Sequence, residues 1–285
     1  MAARLIDGRK VASDLKKDIK KDVLRLRSKG ISPCLAVLYD TTTPRSKKYA
    51  DLKRMACDEE GIDILVHAVQ KKETEKSLIN LIRRLNNVPE VNGILLQFPF
   101  RKIFNEKKIA EQITPEKDID ACGPYAMGRL FIDDPLFIPC TPYGAMKMLD
   151  TYRINPNRKR AVVIEGSSTG RSLAQLLMRR KAVVTICNAE TINLKEECLM
   201  ADILCVEAGN PGMVTADMVK KGAVVIDLGM NVTPEGKIKG DVDFDSVKKK
   251  ASYITPVPGG SGPMTIAMIL HNTVLAAKMQ AKNNA

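Results

Sequence analysis

Short apolar runs alternate with amphipathic segments along most of the chain, and this alternation restricts the fold more than any other feature. Runs such as 34–39, 93–97 and 160–164 are five or six residues long and almost entirely apolar, which is typical of buried strands. The segments 46–60 and 75–86 between them carry apolar residues at helical spacing. Strand and helix in this order predict an α/β protein with parallel sheets.

The alternation occurs in two separate stretches, and a chain of 285 residues is long enough for two domains. The second stretch begins after a helix predicted at 142–152, and its strand, glycine-rich turn, helix and strand follow the dinucleotide-binding order. We therefore expect an N-terminal α/β domain at 1–145, completed by a C-terminal helix at 266–285. A Rossmann-type doubly wound parallel sheet is expected at 146–265, with the active site in the cleft between the domains.

The composition argues against several classes of protein. No apolar run reaches about 18 residues, so no transmembrane helix is expected, and the N-terminus lacks the apolar core of a signal peptide. Seven cysteines without paired spacing indicate reduced thiols and a cytoplasmic location. With only two histidines, His67 and His271, and no C-x-x-C motif, a metal site built by the protein is not expected.

The chain carries 45 basic and 33 acidic residues, a net charge of +12. A basic nucleic-acid-binding protein is one interpretation of this charge. Aromatic residues make up only 4% of the chain and tryptophan is absent, so base-stacking surfaces would be scarce. Attraction of anionic small molecules, together with solvated helix faces, explains the charge at least as well. We therefore expect no nucleic-acid partner.

Three prolines and three glycines stand within the ten residues 256–265. Such a segment predicts an irregular loop, because proline and glycine both disfavour helix interiors and central strands. The apolar run that starts at Ile266 predicts that a helix follows directly. The loop is either a tight connection between elements or a binding loop whose glycines let a ligand approach closely.

Tyr49 and Lys53 are four residues apart on a predicted helix and therefore share one face. A solvated surface pair is the common explanation for this spacing. The helix follows a buried strand, however, so its first turn should lie at the carboxyl edge of the sheet, where α/β proteins bind ligands. Gln97 ends a second such strand and could hydrogen-bond the lysine amine. Lys53 could then transfer protons near neutral pH if its surroundings lower its pKa from about 10.4.

Five motifs together resemble the bifunctional methylenetetrahydrofolate dehydrogenase/cyclohydrolase family. Their order and spacing agree with the family pattern over nearly the whole chain. The resemblance implies oxidation of 5,10-methylenetetrahydrofolate by NAD(P)⁺, followed by hydrolysis of the 5,10-methenyl product to 10-formyltetrahydrofolate. The motifs are S-x-x-Y-x-x-x-K at 46–53, G-I-L-L-Q at 93–97, K-D-I-D at 117–120, P-C-T-P at 139–142 and P-V-P-G-G-S-G-P-M-T at 256–265.

The resemblance also implies roles for individual residues. Lys53 is the implied catalytic lysine, and Gln97 adjusts its pKa. Tyr49 packs on the folate, and Asp120 binds the amino-pyrimidine edge of the pterin. These four residues form the implied catalytic set. Asp118 is expected to be structural, and the glycine that follows Asp120 in the family is Ala121 here. The implied substrate-binding residues are Ser46, Tyr49, Leu96, Phe98, Asp120, Pro258, Gly259, Gly260, Pro263 and Thr265.

The cofactor half departs from the family pattern. The turn G-R-S-x-x-V-G-x-P is one residue shorter here, and it lacks the arginine that binds the cofactor 2′-phosphate. Glu190 after the next strand would electrostatically favour NAD. The family commonly uses NADP. We expect NADP here, with NAD as the alternative. The implied cofactor-binding residues are Gly166, Ser167, Ser168, Gly170, Arg171, Ala189, Gly209 and Met230.

The resemblance leads us to expect a cytoplasmic homodimer that binds tetrahydrofolate derivatives and no membrane. A cyclohydrolase or folate-binding protein without dehydrogenase activity, whose altered turn no longer holds a dinucleotide, is the main alternative.

Overall fold

The chain folds into two α/β units in the computed structural model, which describes residues 2–43 and 46–283. One unit comprises Asp14–Cys140 and Ile266–Ala285, and we call it the lysine unit because it contains Lys53. The other comprises Met1–Ser13 and Thr141–Thr265, and we call it the glycine-turn unit. The predicted α/β class is confirmed.

Ten α-helices and eleven strands occur among the described residues, and none of the helices is long and apolar enough to cross a membrane. The strands are β1 (Arg4–Leu5), β2 (Cys34–Asp40), β3 (Asp63–Val69), β4 (Gly93–Gln97), β5 (Arg160–Glu165), β6 (Val183–Cys187), β7 (Ile203–Glu207), β8 (Val224–Asp227), β9 (Asn231–Val232), β10 (Ile238–Lys239) and β11 (Tyr253–Ile254). The helices are α1 (Gly8–Arg27), α2 (Ser46–Glu60), α3 (Glu75–Asn86), α4 (Glu106–Ala110), α5 (Pro124–Phe131), α6 (Cys140–Thr151), α7 (Ser168–Arg179), α8 (Leu194–Leu199), α9 (Phe244–Val247) and α10 (Ser261–Asn283).

The lysine unit contains a parallel sheet in the order β3-β2-β4. Every residue of β2 and β4 is buried, because helices cover both faces of a parallel sheet. On one face, Leu78, Ile79 and Ile82 of α3 pack into a core with apolar side chains of the sheet. Residues Tyr39 and Gln97 are register partners, so β2 and β4 end side by side. This carboxyl edge is where α2 begins.

The glycine-turn unit contains a six-stranded parallel sheet in the order β1-β11-β8-β7-β5-β6. The strands β6, β5, β7, β8 and β11 are neighbours across this sheet in that order. Numbered along the chain from β5, their order is 2-1-3-4-5, so the direction of the strand order reverses between β5 and β7. In doubly wound folds a ligand crevice lies at the carboxyl ends of the strands at such a reversal. β1 pairs with β11, so the first thirteen residues group with this sheet, although the sequence-based boundary places them in the N-terminal domain.

Most of the predicted elements have the observed bounds to within a few residues, and the ranges 46–60, 75–86, 93–97 and 183–187 coincide with α2, α3, β4 and β6. The strands of two residues were not predicted, because they are too short to show a period. The helix expected from Ile266 starts earlier, at Ser261, so half of the loop 256–265 is helical. Pro263 lies in the first turn, where its missing N–H would have had no partner within the helix. The end of that predicted helix, 284–285, lies outside the described residues.

Candidate active site

Three of the predicted catalytic and substrate-binding side chains meet at the carboxyl edge of the lysine unit. The Nζ atom of Lys53 donates to Oε1 of Gln97 at 2.7 Å. The Nε2 atom of Gln97 donates to the carbonyl oxygen of Ser46 at 2.7 Å and to its Oγ at 2.8 Å. Since a carbonyl oxygen can only accept, these bonds determine the orientation of the amide. Gln97 therefore presents an acceptor to Lys53, a point that sequence analysis left open.

The surroundings of Lys53 suit a proton acceptor. Burial lowers the pKa of its amine to about 8, although the negative charge of Asp120 acts in the opposite direction. At about pH 7.5 such an amine is roughly one quarter neutral, against about one part in a thousand at its ordinary pKa. Gln97 accepts an N–H and leaves the lone pair of the neutral amine available for a proton.

Asp120 lies in the loop that follows Asp118, which forms a parallel bridge with Ile94 of β4. The Oδ1 atom of Asp120 accepts a hydrogen bond of 2.8 Å from the backbone N–H of Cys140. Burial raises the pKa of this carboxyl, while the bond from Cys140 and the charge of Lys53 lower it. Asp120 and Lys53 therefore influence each other's charge, as members of one site do.

The neighbours of Asp120 hold the loop in shape. Asp118 accepts backbone hydrogen bonds from Gly123 at 2.9 Å and Cys122 at 3.1 Å, so its role is structural, as expected. Ala121 has a φ of +49°, in the left-handed region that favours glycine. Alanine replaces the family's glycine here, yet the backbone keeps the conformation typical of glycine. The strain of this conformation costs about 1 kcal/mol.

The other predicted substrate-binding residues of the lysine unit differ in exposure. Tyr49 is half-buried on α2, and its carbonyl oxygen lies 3.5 Å from Nζ of Lys53. Phe98 is exposed and packs edge-to-face on Phe100, with 5.7 Å between the ring centroids. Leu96 belongs to the hydrophobic core and is 3% exposed, so its side chain packs against the protein's own residues.

The predicted substrate-binding residues of the loop 256–265 lie in the glycine-turn unit. A Cβ atom on Gly8 would lie 1.9 Å from the carbonyl oxygen of Gly260, and the oxygen of Gly259 accepts from the N–H of Arg9 at 3.1 Å. A Cβ atom on Gly260 would lie 2.8 Å from the carbonyl oxygen of Pro256, so the close approaches at Gly8 and Gly260 are to the protein's own backbone. Pro258 is exposed, Pro263 lies in α10, and the hydroxyl groups of Thr265 and Thr141 are 3.0 Å apart.

The glycine-rich turn connects β5 to α7 with the close packing of a dinucleotide fold. A Cβ atom on Gly166 would lie 2.8 Å from the carbonyl oxygen of Glu207, and one on Gly170 would lie 2.6 Å from Cβ of Glu165. Ser167 caps α7, since its Oγ accepts from the N–H of Thr169 at 3.1 Å. The glycines of the turn therefore stand where helix and strands approach each other, as in dinucleotide-binding folds.

The remaining predicted cofactor residues surround the same edge of the sheet. Arg171 lies 3.4 Å from Glu165 in an ion pair, and Ala189 and Met230 are exposed. Gly209 donates its N–H to Asp241 at 3.0 Å. Arg180 lies at the opposite end of α7 from the turn and donates to both carboxylate oxygens of Asp150 at 2.8 Å.

Sequence analysis missed a set of carboxylates at this edge. The neighbouring strands β5, β7 and β8 end in Glu165, Glu207 and Asp227. Burial raises the pKa of Asp227 to about 7, against three backbone hydrogen bonds that lower it. The sequence did contain a signal for these carboxylates, because an acidic residue stands at the end of each predicted apolar run.

Asp241, also missed, connects two loops of this edge. Its Oδ2 atom accepts from the N–H groups of Ala208 at 2.6 Å and Gly209 at 3.0 Å. Its Oδ1 atom accepts from Nδ2 of Asn231 at 2.6 Å. The loops that follow β7 and β8 are thus held by one buried carboxylate.

The pKa of Lys53 should depend on the charge at position 97. In Gln97→Glu a carboxylate would replace the amide oxygen that lies 2.7 Å from Nζ, so the pKa of Lys53 should rise by at least about one unit from about 8. Competitive labelling with trace acetic anhydride over a range of pH, read by mass spectrometry, measures this pKa. Gln70→Glu, an exposed change of the same charge at the end of β3, should leave it unaltered. An unshifted pKa in Gln97→Glu would contradict the geometry.

Comparison with known proteins identifies the family. The catalytic domain of tetrahydrofolate dehydrogenase/cyclohydrolase matches residues 6–120, and the NAD(P)-binding domain of the same family matches residues 139–281. The bifunctional protein FolD of Thermodesulfovibrio yellowstonii is 50% identical over 283 residues, 99% of each chain. The crystal structure of FolD from Campylobacter jejuni is 42% identical with a TM-score of 0.94, covering 98% of this chain and 99% of that one. FolD of Trypanosoma brucei, solved with NADP and an inhibitor, is 32% identical with a TM-score of 0.95, covering 99% of each chain. The resemblance drawn from the motifs is confirmed: the chain belongs to the tetrahydrofolate dehydrogenase/cyclohydrolase family.

Proposed function

We propose that the protein is a bifunctional enzyme of one-carbon metabolism. It oxidises 5,10-methylenetetrahydrofolate with NADP⁺ and hydrolyses the resulting 5,10-methenyltetrahydrofolate to 10-formyltetrahydrofolate. The observation that carries this proposal is the hydrogen-bonded chain of Lys53, Gln97 and Ser46, in which the lysine has a pKa of about 8. The net charge of +12 suits anionic folates and nucleotides as ligands.

In the hydrolytic step Lys53 acts as the general base. Water attacks the methenyl carbon between N5 and N10, and a C–O bond forms as the water proton passes to the neutral amine of Lys53. The C–N5 bond then breaks, N5 takes the proton of the new hydroxyl group, and the formyl group remains on N10. The protonated Lys53 returns its proton to solvent, which its pKa of about 8 permits near neutral pH.

We assign the remaining roles as the family resemblance implies. Asp120 binds the amino-pyrimidine edge of the pterin, because a carboxylate accepts two parallel N–H donors. Tyr49 and Phe98 offer half-buried and exposed rings for packing against the folate. Folate binding is assigned to residues 1–145 with the helix 266–285, including Ser46 and Leu96. The resemblance also assigns the loop residues Pro258, Gly259, Gly260, Pro263 and Thr265 to the substrate.

Dinucleotide binding is assigned to residues 146–265. The N–H groups of Gly166 to Gly170 would hold the phosphates, Arg171 is the nearest candidate for the 2′-phosphate, and Gly209 and Met230 would line the nicotinamide site. When bound, NADP⁺ supplies the hydride acceptor. Asp241 holds the loops of Gly209 and Asn231 in place for that site.

We further propose that the enzyme is a cytoplasmic homodimer. Strand β3 is an edge strand of seven residues, paired with β2 on one side, and Leu65 on it is 50% exposed. A long apolar edge of this kind favours pairing with a second copy. Sedimentation velocity should show one species of about twice the 31.4 kDa chain mass, which Leu65→Lys should convert to monomer. A wild-type monomer would contradict the dimer.

Replacing Lys53 should separate the two activities. In Lys53→Met, hydrolysis of 5,10-methenyltetrahydrofolate should fall at least about 100-fold, because the general base is lost. Lys53→Arg should be similarly impaired, since a guanidinium does not deprotonate. Wild-type kcat/KM should rise with pH and level off above about 8, the pKa of the amine. The dehydrogenase activity, measured by the absorbance of the reduced cofactor, should fall much less.

The matched control for these variants is Lys47→Met, which alters an exposed lysine of the same helix. It should leave both activities unchanged. Near-normal hydrolysis in Lys53→Met, with tetrahydrofolate still bound, would rule out Lys53 as the base.

Removing the charge of Asp120 should weaken folate binding selectively. Asp120→Asn keeps an oxygen that can accept from the N–H of Cys140 but loses the carboxylate. Tetrahydrofolate affinity, measured by calorimetric titration, should fall by about 1.5–3 kcal/mol, typical of hydrogen bonds to a charged group. NADP affinity should be unchanged. An equal loss for both ligands would point to a disturbed fold and remove Asp120 from the folate site.

A further inference from the structure

A carboxylate of the chain itself occupies the position where the glycine-rich turn would hold an anion. Both oxygens of Glu207, Oε1 and Oε2, accept from the hydroxyl group of Ser167, at 2.9 Å and 3.0 Å. The backbone N–H groups of Gly166 and Gly170 also lie close enough to this carboxylate to lower its pKa. Donors from three residues of the turn therefore converge on one side chain, which comes from the neighbouring strand β7.

The same donors are the ones a dinucleotide needs. In doubly wound folds the turn after the first strand and the N-terminus of the following helix bind the pyrophosphate through backbone N–H groups. Residues 166–168 of the turn are exposed and accessible to a ligand. An N–H group that already donates to the carboxylate is not available to a phosphate oxygen, and two anions at one position repel each other.

The charges around Glu207 increase this conflict. Glu165 is its register partner on β5, and Oε2 of Glu165 is buried without a hydrogen bond within the described part of the chain. Asp241 lies close enough to raise the pKa of Glu207. Arg171 of α7 is a cation of this region, and its Nε atom lies 3.4 Å from Oε2 of Glu165. The turn therefore offers a phosphate a more negative environment than its glycines suggest.

We propose that Glu207 is an internal competitor for the pyrophosphate position, and that it lowers the affinity of this protein for NADP and NAD by the same factor. The proposal rests on the proposed dehydrogenase function, because it concerns the same dinucleotide site. A dinucleotide must displace the carboxylate from Ser167, Gly166 and Gly170 before its phosphates can bind. Because both cofactors share the pyrophosphate, Glu207 does not discriminate between them.

Protonation should weaken the competitor. Burial and Asp241 raise the pKa of Glu207, against the lowering effect of its hydrogen bonds from Ser167, Gly166 and Gly170. A neutral carboxyl group accepts hydrogen bonds less strongly than a carboxylate and does not repel a phosphate. Dinucleotide affinity of the wild type should therefore increase as the pH falls towards the raised pKa of Glu207, whereas it should be much less dependent on pH in Glu207→Ala.

Calorimetric titration of NADP⁺ and NAD⁺ into the full chain tests the proposal. In Glu207→Ala both dissociation constants should fall by at least about tenfold and by the same factor, because a charge-assisted competitor is removed. Glu196→Gln, which removes one negative charge from an exposed position on α8, is the matched control and should leave both constants near the wild-type values. Circular dichroism and thermal unfolding verify that each variant is folded.

The outcomes separate this proposal from the proposed function. Unchanged or weaker binding of both cofactors by folded Glu207→Ala would overturn the proposal that Glu207 is a competitor. A gain in affinity confined to one cofactor would also overturn it. If the wild type binds neither cofactor and Glu207→Ala binds both, the competitor is established and the assigned dehydrogenase activity fails. If neither protein binds either cofactor, both the competitor and the dehydrogenase assignment are overturned.

Discussion

The amide of Gln97 is the contact on which the chemistry of the lysine unit depends. It connects the end of β4 to the first turn of α2, because it donates to the carbonyl oxygen and hydroxyl group of Ser46 while it accepts from Lys53. This arrangement requires β2 and β4 to end together, as the pairing of Tyr39 with Gln97 ensures. A rigid strand end and the start of a helix thus position a half-buried lysine whose neutral amine has a lone pair that can take a proton.

The two parallel sheets place different titratable groups at their carboxyl edges. In the lysine unit the edge presents an amine whose pKa is lowered by burial. In the glycine-turn unit the neighbouring strands β5, β7 and β8 end in carboxylates. The same rule of topology applies to both, because strands that run in one direction place their last side chains at one edge. Lys53 itself comes from α2, the helix that begins at this edge, and β2 ends in the buried carboxylate of Asp40.

The glycines show why a motif alone does not describe a contact. The loop 256–265 and the turn at 166–170 both contain glycine where another backbone passes within van der Waals distance, such as the oxygen of Gly260 beside Gly8. In each case the close neighbour in this structure belongs to the protein. Proline behaves in a similar way: Pro263 disfavours a helix interior but is accommodated in the first turn of α10.

The sequence by itself determined the α/β class, the bounds of elements such as α2, α3 and β4, and the set of motifs that resemble the family. These follow from local burial patterns and from the order of residues along the chain, which need no knowledge of distant contacts. Tertiary structure alone decided the direction of the Gln97 amide, the membership of β1 in the larger sheet, and the meeting of Glu207 with the turn at 166–170. Each of these depends on a partner 40 or more residues away in the chain, and a hydrogen bond or strand pairing of that kind exists only once the sheets have assembled.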